Sequence, residues 1–396
     1  MNLKYILFLI LGIDVFVLSL KTSELSISYL EALIIYGDTS FLKILLDISF
    51  HFFGENDFAL RLPMIMMHIF SILLLYSISK KYLKYERDRL WLVFIFVLLP
   101  GVISSSIIVN SAGLLIFGLL LFMYIYGNYS IKHSYVLLFI FSIIESSFVY
   151  LFISLIVYSY TIKNKRFLLF NFMMLVLSVY LYGFNSHGLP KGYFLDAFGL
   201  YATVFTPMIF IYLFYVLYKR LLKKEIDILW YISSITLLIS LILSFRQRID
   251  VAIFAPYLII ALPLVVQTFS SSYRVRLKIF RTKYKIFFIF TLVFLFLNSF
   301  LLFFNKEIYR FIQNPKKHFA YKMHVAKELS QELKYRGIEC IDSPQNISFR
   351  LRFYGINKCE KYKLDIVNDK ENENIVTISY RNKDIYRASV TKINTQ

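Results

Sequence analysis

The chain has 396 residues, of which 58% are hydrophobic and only 17% are charged. The mean hydropathy of +0.62 lies far outside the usual balance of soluble domains. A formal net charge of +19 would suit a nucleic-acid partner if the basic residues formed one face of a soluble fold, but most of them lie in short loops between apolar runs. The composition therefore argues against a nucleic-acid partner and predicts an all-α protein that crosses a membrane many times.

The sequence contains eleven apolar runs. Most of them are close in length to the about 18 to 20 residues that a helix needs to cross a hydrocarbon core of about 30 Å. Loops on alternate sides of these runs carry 20 and 6 Lys and Arg residues, with the C-terminal tail left out. The positive-inside rule then predicts a cytoplasmic N-terminus and a tail on the outer side. The first run has no small-residue cleavage site, so we expect it to remain as a span. The runs are residues 3–20, 62–79, 90–108, 112–127, 135–147, 148–162, 167–184, 199–218, 227–245, 251–268 and 286–304.

Residues 135–162 could form one long helix or two short elements broken at Glu145-Ser146-Ser147. A single crossing would put the basic group at 163–166 and every later loop on the wrong side, so we predict two short elements. An acid at membrane depth is costly, which makes Glu145 a candidate functional residue. If the break lies near water, the same carboxylate is harmless.

The first outer loop, residues 21–61, is long and should carry structure or function. Ser28 and Glu31 have the spacing of a capping box at the start of a short helix that Gly37 would end. A second segment places Lys43, Asp47 and His51 four residues apart among Phe, Leu and Ile. This pattern predicts an amphipathic helix in the outer membrane interface, so the loop would contain two juxtamembrane helices.

The polar stretch GENDFALRLP interrupts the apolar sequence before the second span. We expect Gly54 to end the amphipathic helix, Asp57 to cap the next one and Pro63 to lie near its start. The stretch would then be a corner between an interfacial helix and a transmembrane helix. Arg61 would lie at headgroup level, where its long side chain can reach a phosphate.

An outer loop with an acidic residue near its start, an amphipathic helix and then FG…DFALRLP resembles the GT-C class of membrane glycosyltransferases. The similarity is greatest to the bacterial members related to protein O-mannosyltransferases and to the transferase that places aminoarabinose on lipid A. It is best over residues 20–130 and extends to the plan of about eleven crossings followed by a small outer C-terminal domain.

The resemblance implies a transfer of a sugar from a polyprenyl-phosphate carrier to a lipid, glycan or protein acceptor on the periplasmic side of a bacterial inner membrane. No cofactor is implied beyond the lipid-linked donor. The family usually carries an Asp-Glu pair in the first outer loop, where this chain has Leu30 and Glu31. A second family triplet, similar to Thr-Pro-Asp, reads Asn110-Ser111-Ala112 and also lacks its acid.

Transfer from a lipid phosphate needs a base near the acceptor hydroxyl and cations near the departing phosphate. The candidate bases are Glu31, Glu24 and Asp38. Glu24 and Glu31 are seven residues apart and would share a face of a continuous helix. Glu31 could instead serve only in the capping box, and Glu24 could be a first-turn acid that the helix dipole favours.

For the phosphate, the outer turn FRQRID places Arg246 and Arg248 on the side that the charge rule disfavours. Arginine makes bidentate contacts to phosphate oxygens that lysine does not reproduce. Arg61 and Lys43 are further candidates for this role. The alternative for the two arginines is pairing with Asp250 or with lipid headgroups. We expect these cations and the glutamates to line one outward-opening cavity.

The outer loop at 185–196 would form a rim over that site and contributes His187 and Lys191 as possible rim residues. Glu145, at the break described above, is a third. The histidines are scattered and no HExxH, CxxC or Gly-rich phosphate loop occurs, so we expect no metal site in the chain.

We predict two domains, a GT-C-like transmembrane domain at 1–310 and a small α/β periplasmic domain at 311–396. In the latter, HVAKELSQELKYRG predicts a helix, IECI a strand, and the alternation in NIVTISYR and DIYRASVTKI a hairpin. Cys340 and Cys359 both lie there and favour a disulfide in an oxidising compartment.

Three functions remain open at this level. The first is a GT-C transferase with a polyprenyl-linked sugar, membrane lipids and an acceptor as partners. The second is a catalytically degenerate relative that binds the lipid-linked glycan without transfer. A transporter or flippase would show inverted repeats and several buried charges in its spans, and neither is evident in the sequence.

Overall fold

The computed structural model describes residues 3–37, 40–183, 192–366, 375–381 and 383–393. Helices make up nearly all of its regular structure, and three strands lie near the C-terminus. The helices are α1 (Leu3–Glu24), α2 (Tyr29–Tyr36), α3 (Phe41–Phe53), α4 (Asp57–Tyr82), α5 (Glu86–Leu98), α6 (Pro100–Ile107), α7 (Ser111–Asn128), α8 (Ile131–Ile144), α9 (Val149–Thr161), α10 (Lys165–Tyr182), α11 (Phe194–Phe205), α12 (Pro207–Lys223), α13 (Ile228–Ser244), α14 (Val251–Ile259), α15 (Leu262–Val275), α16 (Lys278–Phe303), α17 (Ala326–Tyr335) and α18 (Gln345–Phe353). The strands are β1 (Tyr362–Ile366), β2 (Ile375–Tyr380) and β3 (Lys383–Lys392).

The apolar helices correspond one for one with the predicted membrane segments. Within the described residues, α1, α4, α7, α10 and α16 are each long and apolar enough to cross a membrane. Three bent pairs, α5 with α6, α11 with α12 and α14 with α15, also qualify, and α8, Ser146–Thr161 and α13 are shorter apolar helices. The prediction of a polytopic all-α protein with about eleven segments is confirmed.

Prolines set two of the bends. Pro100 and Pro207 each open the second helix of a pair, and the pairs bend by 62° and 107°. Proline suits the first helical turn but forces the residue before it out of the helical region. Leu99 and Thr206 accordingly have ψ of 127° and 145°, so the helix stops there and restarts in a new direction.

The chain divides into two compact units. The first contains Met1–Phe16 and Met64–Ser299, and its core is formed by buried aliphatic and aromatic side chains of the apolar helices. At the predicted break after α8, Phe141 stacks on Phe148 with ring centroids 4.2 Å apart. Gly118 on α7 permits this, because a Cβ there would lie 2.7 Å from the Phe148 ring.

The second unit contains Val17–Pro63 and Phe300–Gln396, so the first outer loop packs with the C-terminal part of the chain. Strands β2 and β3 form the predicted hairpin, and β1 pairs with the other edge of β3 to give an antiparallel sheet of order β1-β3-β2. The segment IECI makes only isolated bridges, so its prediction as a regular strand is wrong. Cys340 and Cys359 form a disulfide with their Cα atoms 5.4 Å apart.

Candidate functional site

Glu31 closes the capping box at the start of α2. Its carboxylate accepts a hydrogen bond from the Ser28 backbone N–H at 2.8 Å, and the Ser28 hydroxyl accepts from the Glu31 N–H at 3.2 Å. The Glu31 side chain is fully buried and also lies within electrostatic reach of the Arg350 guanidinium. The structural role that the sequence left open for Glu31 is therefore present.

Glu24 occupies a different setting from the predicted one. It is the last residue of α1, residues 25–28 are not helical, and α2 starts at Tyr29. The predicted shared helix face of Glu24 and Glu31 is therefore wrong, and Glu24 lies at the helix end whose dipole disfavours an acid. Its carboxylate is 55% exposed and 2.8 Å from the Lys21 ammonium. Asp38 lies outside the described residues.

Two positions where the family resemblance places acids are apolar here and differ in exposure. Leu30 is 67% exposed, next to the buried Glu31. Ala112 is 8% exposed in the first turn of α7, where the Asn110 side chain caps the helix by accepting from the Ala112 N–H. An acid at position 30 would therefore face outward, whereas one at position 112 would be largely buried.

The polar stretch before α4 forms the predicted corner. Gly54 has φ of +74°, a conformation that favours glycine, and it ends α3. The cap of α4 is Asn56, whose side-chain oxygen accepts from the N–H groups of Phe58 and Ala59 at 3.0 and 2.8 Å. The prediction that Asp57 caps this helix is wrong, because the neighbouring asparagine already satisfies the free N–H groups.

Arg61 is buried inside the corner and does not reach outward. The side chain is 1% exposed, and its guanidinium donates to the backbone oxygens of Thr22, Ser26 and Asp57 at 3.1, 3.1 and 3.3 Å. Thr22 lies in the last turn of α1, Ser26 follows that helix, and Asp57 is the first residue of α4. Arg61 therefore connects the start and the end of the outer loop. The predicted contact of its guanidinium with a lipid phosphate is wrong, because that group is buried and bonded to backbone oxygens.

Asp57 is a residue whose importance the sequence did not reveal. Its carboxylate accepts from the Tyr354 hydroxyl and from the Lys327 ammonium, both at 2.7 Å, and lies 3.7 Å from the Arg61 guanidinium. Tyr354 in turn accepts from the Ile27 N–H at 3.0 Å. Residues almost 300 positions apart thus converge on one buried carboxylate, and no local spacing signals such a contact.

Lys43 lies on α3, the predicted amphipathic helix, and is partly buried. Leu42 and Leu46 face the interior of the unit, whereas Ile44, Ile48 and Phe52 form an exposed apolar stripe with a spacing of four residues. A stripe of this kind suits contact with a lipid surface.

The turn between α13 and α14 keeps its two arginines exposed. Arg246 and Arg248 follow α13, and among the described residues neither has a carboxylate within ion-pair distance. Asp250, the alternative partner, instead caps α14 by accepting from the Ala252 N–H at 2.9 Å. His187 and Lys191, the predicted rim residues, lie outside the described residues.

Glu145 lies at the break between α8 and the short apolar helix that follows. It is partly buried and accepts hydrogen bonds from the hydroxyls of Ser146 and Ser147 at 3.3 and 3.2 Å. The Tyr257 hydroxyl, on α14, donates to the Ser147 backbone oxygen at 2.7 Å. The break is therefore a structured turn that holds a half-buried carboxylate.

A buried acid and histidine form a pair that the sequence analysis did not identify. Asp14 on α1 and His68 on α4 are 7% and 6% exposed, and Asp14 Oδ2 lies 2.7 Å from His68 Nε2. The imidazole stacks on Phe96 at a centroid distance of 6.0 Å. The helices α1 and α4 therefore share one buried ionisable pair, which the sequence did not make evident.

The second unit contains a further buried histidine. His324 is fully buried, its Nδ1 lies 2.9 Å from the Tyr309 hydroxyl, and its Nε2 has no hydrogen-bond partner among the described residues. Burial lowers the pKa of His324 to about 3, and the nearby Lys306 and His318 act in the same direction. The ring is therefore neutral near pH 7.

No protein-family model matches the chain, and no curated protein matches it. Its structure is similar to the crystal structure of ArnT from Cupriavidus metallidurans in the apo state, with a TM-score of 0.56 over 97% of each chain and 11% sequence identity. The chain has the GT-C fold. The fold expected from FGENDFALRLP and the outer loop is thus confirmed. The identity is low, so the GT-C similarity establishes the architecture and leaves the roles of single residues to be tested.

Proposed function

We propose that this GT-C protein is a membrane glycosyltransferase that moves a sugar from a polyprenyl-phosphate carrier to an acceptor on the periplasmic side of a bacterial inner membrane. The observation that carries the proposal is the similarity to ArnT over 97% of both chains, which includes the outer loop and the C-terminal segment as well as the spans. The partners are the lipid-linked sugar, the surrounding membrane lipids and a lipid, glycan or protein acceptor.

The reaction needs a base that removes a proton from the acceptor hydroxyl while its oxygen attacks the anomeric carbon of the sugar. The bond to the phosphate oxygen then breaks, and the carrier phosphate leaves with the electron pair. We assign the base to Glu24, because it keeps an exposed carboxylate whereas Glu31 is fully buried in its capping box. The Lys21 ammonium lies 2.8 Å from this carboxylate and is its ion-pair partner.

Arg246 and Arg248 are assigned to the carrier phosphate. Both are exposed and have no carboxylate partner within the described residues, so their guanidinium groups are available to an anion. Bidentate contacts from arginine to phosphate oxygens grow stronger as the leaving phosphate gains charge. Lys43 and Glu145 have no comparable observation in their favour and stay as secondary candidates. That the cations and glutamates line one cavity stays a prediction.

A second candidate function has one specific observation in its favour. The exposed position that would carry the acid of the family pair holds Leu30, and the neighbouring Glu31 is buried. A chain with this loop could keep the GT-C scaffold and bind a polyprenyl-linked glycan without transferring the sugar.

The test is a glycan and lipid profile of membranes from a deletion strain complemented with single variants. Glu24→Gln should lower transfer by about 100-fold or more, since a general base contributes about 10²–10⁴-fold. Arg248→Ala should lower it by about 100-fold through the loss of an electrostatic contact. Glu55→Gln, an exposed acid of the same loop, and Arg166→Ala, an exposed arginine elsewhere, are matched controls that should keep the parental profile.

Leu30→Asp separates the two functions. If the parental chain is a transferase, its deletion removes a sugar modification and Leu30→Asp changes the rate modestly. If the parental chain and its deletion give the same profile while Leu30→Asp creates a new modification, the degenerate function is correct. Full complementation by both Glu24→Gln and Arg248→Ala would remove the proposed site.

A further inference from the structure

A cavity of about 500 Å³ opens in the first unit between α5, α12, α15 and α16. Its interior is almost entirely apolar. Trp91 and Phe269 form its aromatic wall, each with its ring centroid within 5.3 Å of Phe288 on α16. Leu262 and Leu295, both fully buried, also line it. The volume falls within the range of about 300–1,000 Å³ that is typical of small-molecule sites.

Four charged side chains line the cavity, those of Arg87, Asp88, Arg274 and Lys285. Arg87 and Lys285 lie about one helical turn before Trp91 and Phe288, whose rings are in contact. Asp88 is 13% exposed and forms an ion pair with Arg274, whose guanidinium also lies 4.1 Å from the centroid of the Tyr85 ring. Arg87 and Lys285 are exposed and have no carboxylate partner within the part of the chain that the structure describes. The polar part of the lining therefore has an uncompensated positive charge.

We propose that this cavity binds an anionic membrane phospholipid, with one acyl chain in the apolar interior and the phosphate at Arg87 and Lys285. An amphipathic cavity with a cationic end matches a ligand that joins a hydrocarbon chain to an anion. A nucleotide or a free sugar would need polar groups along the interior, where this cavity has aromatic and aliphatic side chains.

The charge count of the loops supports the same ligand. The segments 80–89 and 270–285, which contain Arg87, Arg274 and Lys285, belong to the more basic set, which the positive-inside rule assigns to the cytoplasmic side. Anionic lipids attract basic groups at that surface. The site uses none of the residues assigned to sugar transfer, so it stands independently of the proposed function.

The experiment is lipid binding to the purified full-length protein, measured by native mass spectrometry in detergent. Phosphatidylglycerol is titrated against phosphatidylcholine of the same chain length, and inorganic phosphate is a third arm. The variant Arg87→Gln/Lys285→Gln removes the two unpaired cations. Lys84→Gln/Lys283→Gln removes two exposed lysines of the segments 80–89 and 270–285 that do not line the cavity, and is the matched control.

We expect the parent to bind one phosphatidylglycerol more tightly than phosphatidylcholine, and the cavity variant to bind it at least about tenfold more weakly. The control variant should bind like the parent. Leu292→Trp, which narrows the interior, should weaken both lipids while the variant stays monodisperse. If the cavity variant and the control variant lose affinity for phosphatidylglycerol equally, the lipid is attracted to the basic surface in general, and the proposal is overturned. Displacement of the lipid by millimolar inorganic phosphate would show a phosphate site instead and would overturn it as well.

Discussion

Tyr354 donates its phenolic hydroxyl to Asp57 at 2.7 Å and accepts a hydrogen bond from the Ile27 N–H at 3.0 Å. One side chain near the end of α18 thus satisfies two groups of the outer loop. Burial raises the pKa of Tyr354 above its usual range, as does the neighbouring Asp57 carboxylate, so the hydroxyl keeps its proton and remains a donor. The loop and the C-terminal segment therefore form one folded unit.

Tyr354→Phe should destabilise this unit by about 1–3 kcal/mol, because the Ile27 N–H and the Asp57 carboxylate each lose a partner. Thermal unfolding of the purified protein in detergent measures the change. Tyr335→Phe, at a tyrosine that is 90% exposed, is the control and should leave the midpoint unchanged. Equal midpoints for the two variants would show that the hydroxyl of Tyr354 contributes nothing.

The buried pair of Asp14 and His68 should behave as one energetic unit. Asp14→Asn or His68→Gln alone should each lower the free energy of unfolding by about 1–3 kcal/mol, since each disrupts a buried hydrogen bond. The double variant should lower the free energy of unfolding by clearly less than the sum of the two single effects. The exposed pair of Glu332 and Arg336, with side chains 40% and 33% exposed, should give a coupling below about 1 kcal/mol in the same double-mutant cycle. Strict additivity at Asp14 and His68 would contradict the pairing.

Stability should fall with decreasing pH because of His324. The folded pKa of about 3 lies below the ordinary value of 6.5, so the unfolded chain takes up a proton first as the pH falls. The contribution of the neutral ring is complete above about pH 6.5 and is lost progressively toward pH 3. Unfolding midpoints between pH 7.5 and 5.0 should therefore decrease in the parent and decrease less in His324→Gln. His51→Gln, at an exposed ring, should retain the parental slope. A steeper decrease in His324→Gln than in the parent would have the wrong sign for a buried neutral histidine.

The disulfide between Cys340 and Cys359 should stabilise the second unit by about 3 kcal/mol, given the sequence separation of 19 between the two positions. Cys340→Ser/Cys359→Ser should lower the unfolding midpoint accordingly. The chain has two cysteines in total, so a maleimide reagent should add no mass to the unfolded protein before reduction and two labels after it. Two labels without reductant would exclude the bond in the cell and the oxidising compartment that it implies.

The sequence predicted the helical framework because its signals are local. Hydropathy, segment length and loop charge located the spans, and the break at Glu145 followed from the requirement that 163–166 lie on the basic side. The alternation of apolar residues in β2 and β3 predicted their hairpin in the same way.

The missed features depend on contacts that spacing does not encode. Asp57 and Tyr354 are 297 positions apart, and Asp14 and His68 are 54 apart on different helices. The capping of α4 was misassigned by one position, because Asn56 and Asp57 are both good caps and only the backbone geometry decides between them. For Glu31 the sequence allowed both a catalytic role and a helix-capping role. Its full burial depends on the tertiary fold and could not be predicted from the sequence.

A role in sugar transfer is tested most directly by the level of polyprenyl-phosphate-linked sugars in membranes that lack this protein. Lipid mass spectrometry of a deletion strain should show one such species accumulating, together with the loss of the corresponding sugar from an envelope lipid, glycan or protein. Complementation with the parental chain should restore both levels, and complementation with Glu24→Gln should restore neither. Unchanged carrier-linked sugars and unchanged envelope sugars after deletion would contradict a role in sugar transfer.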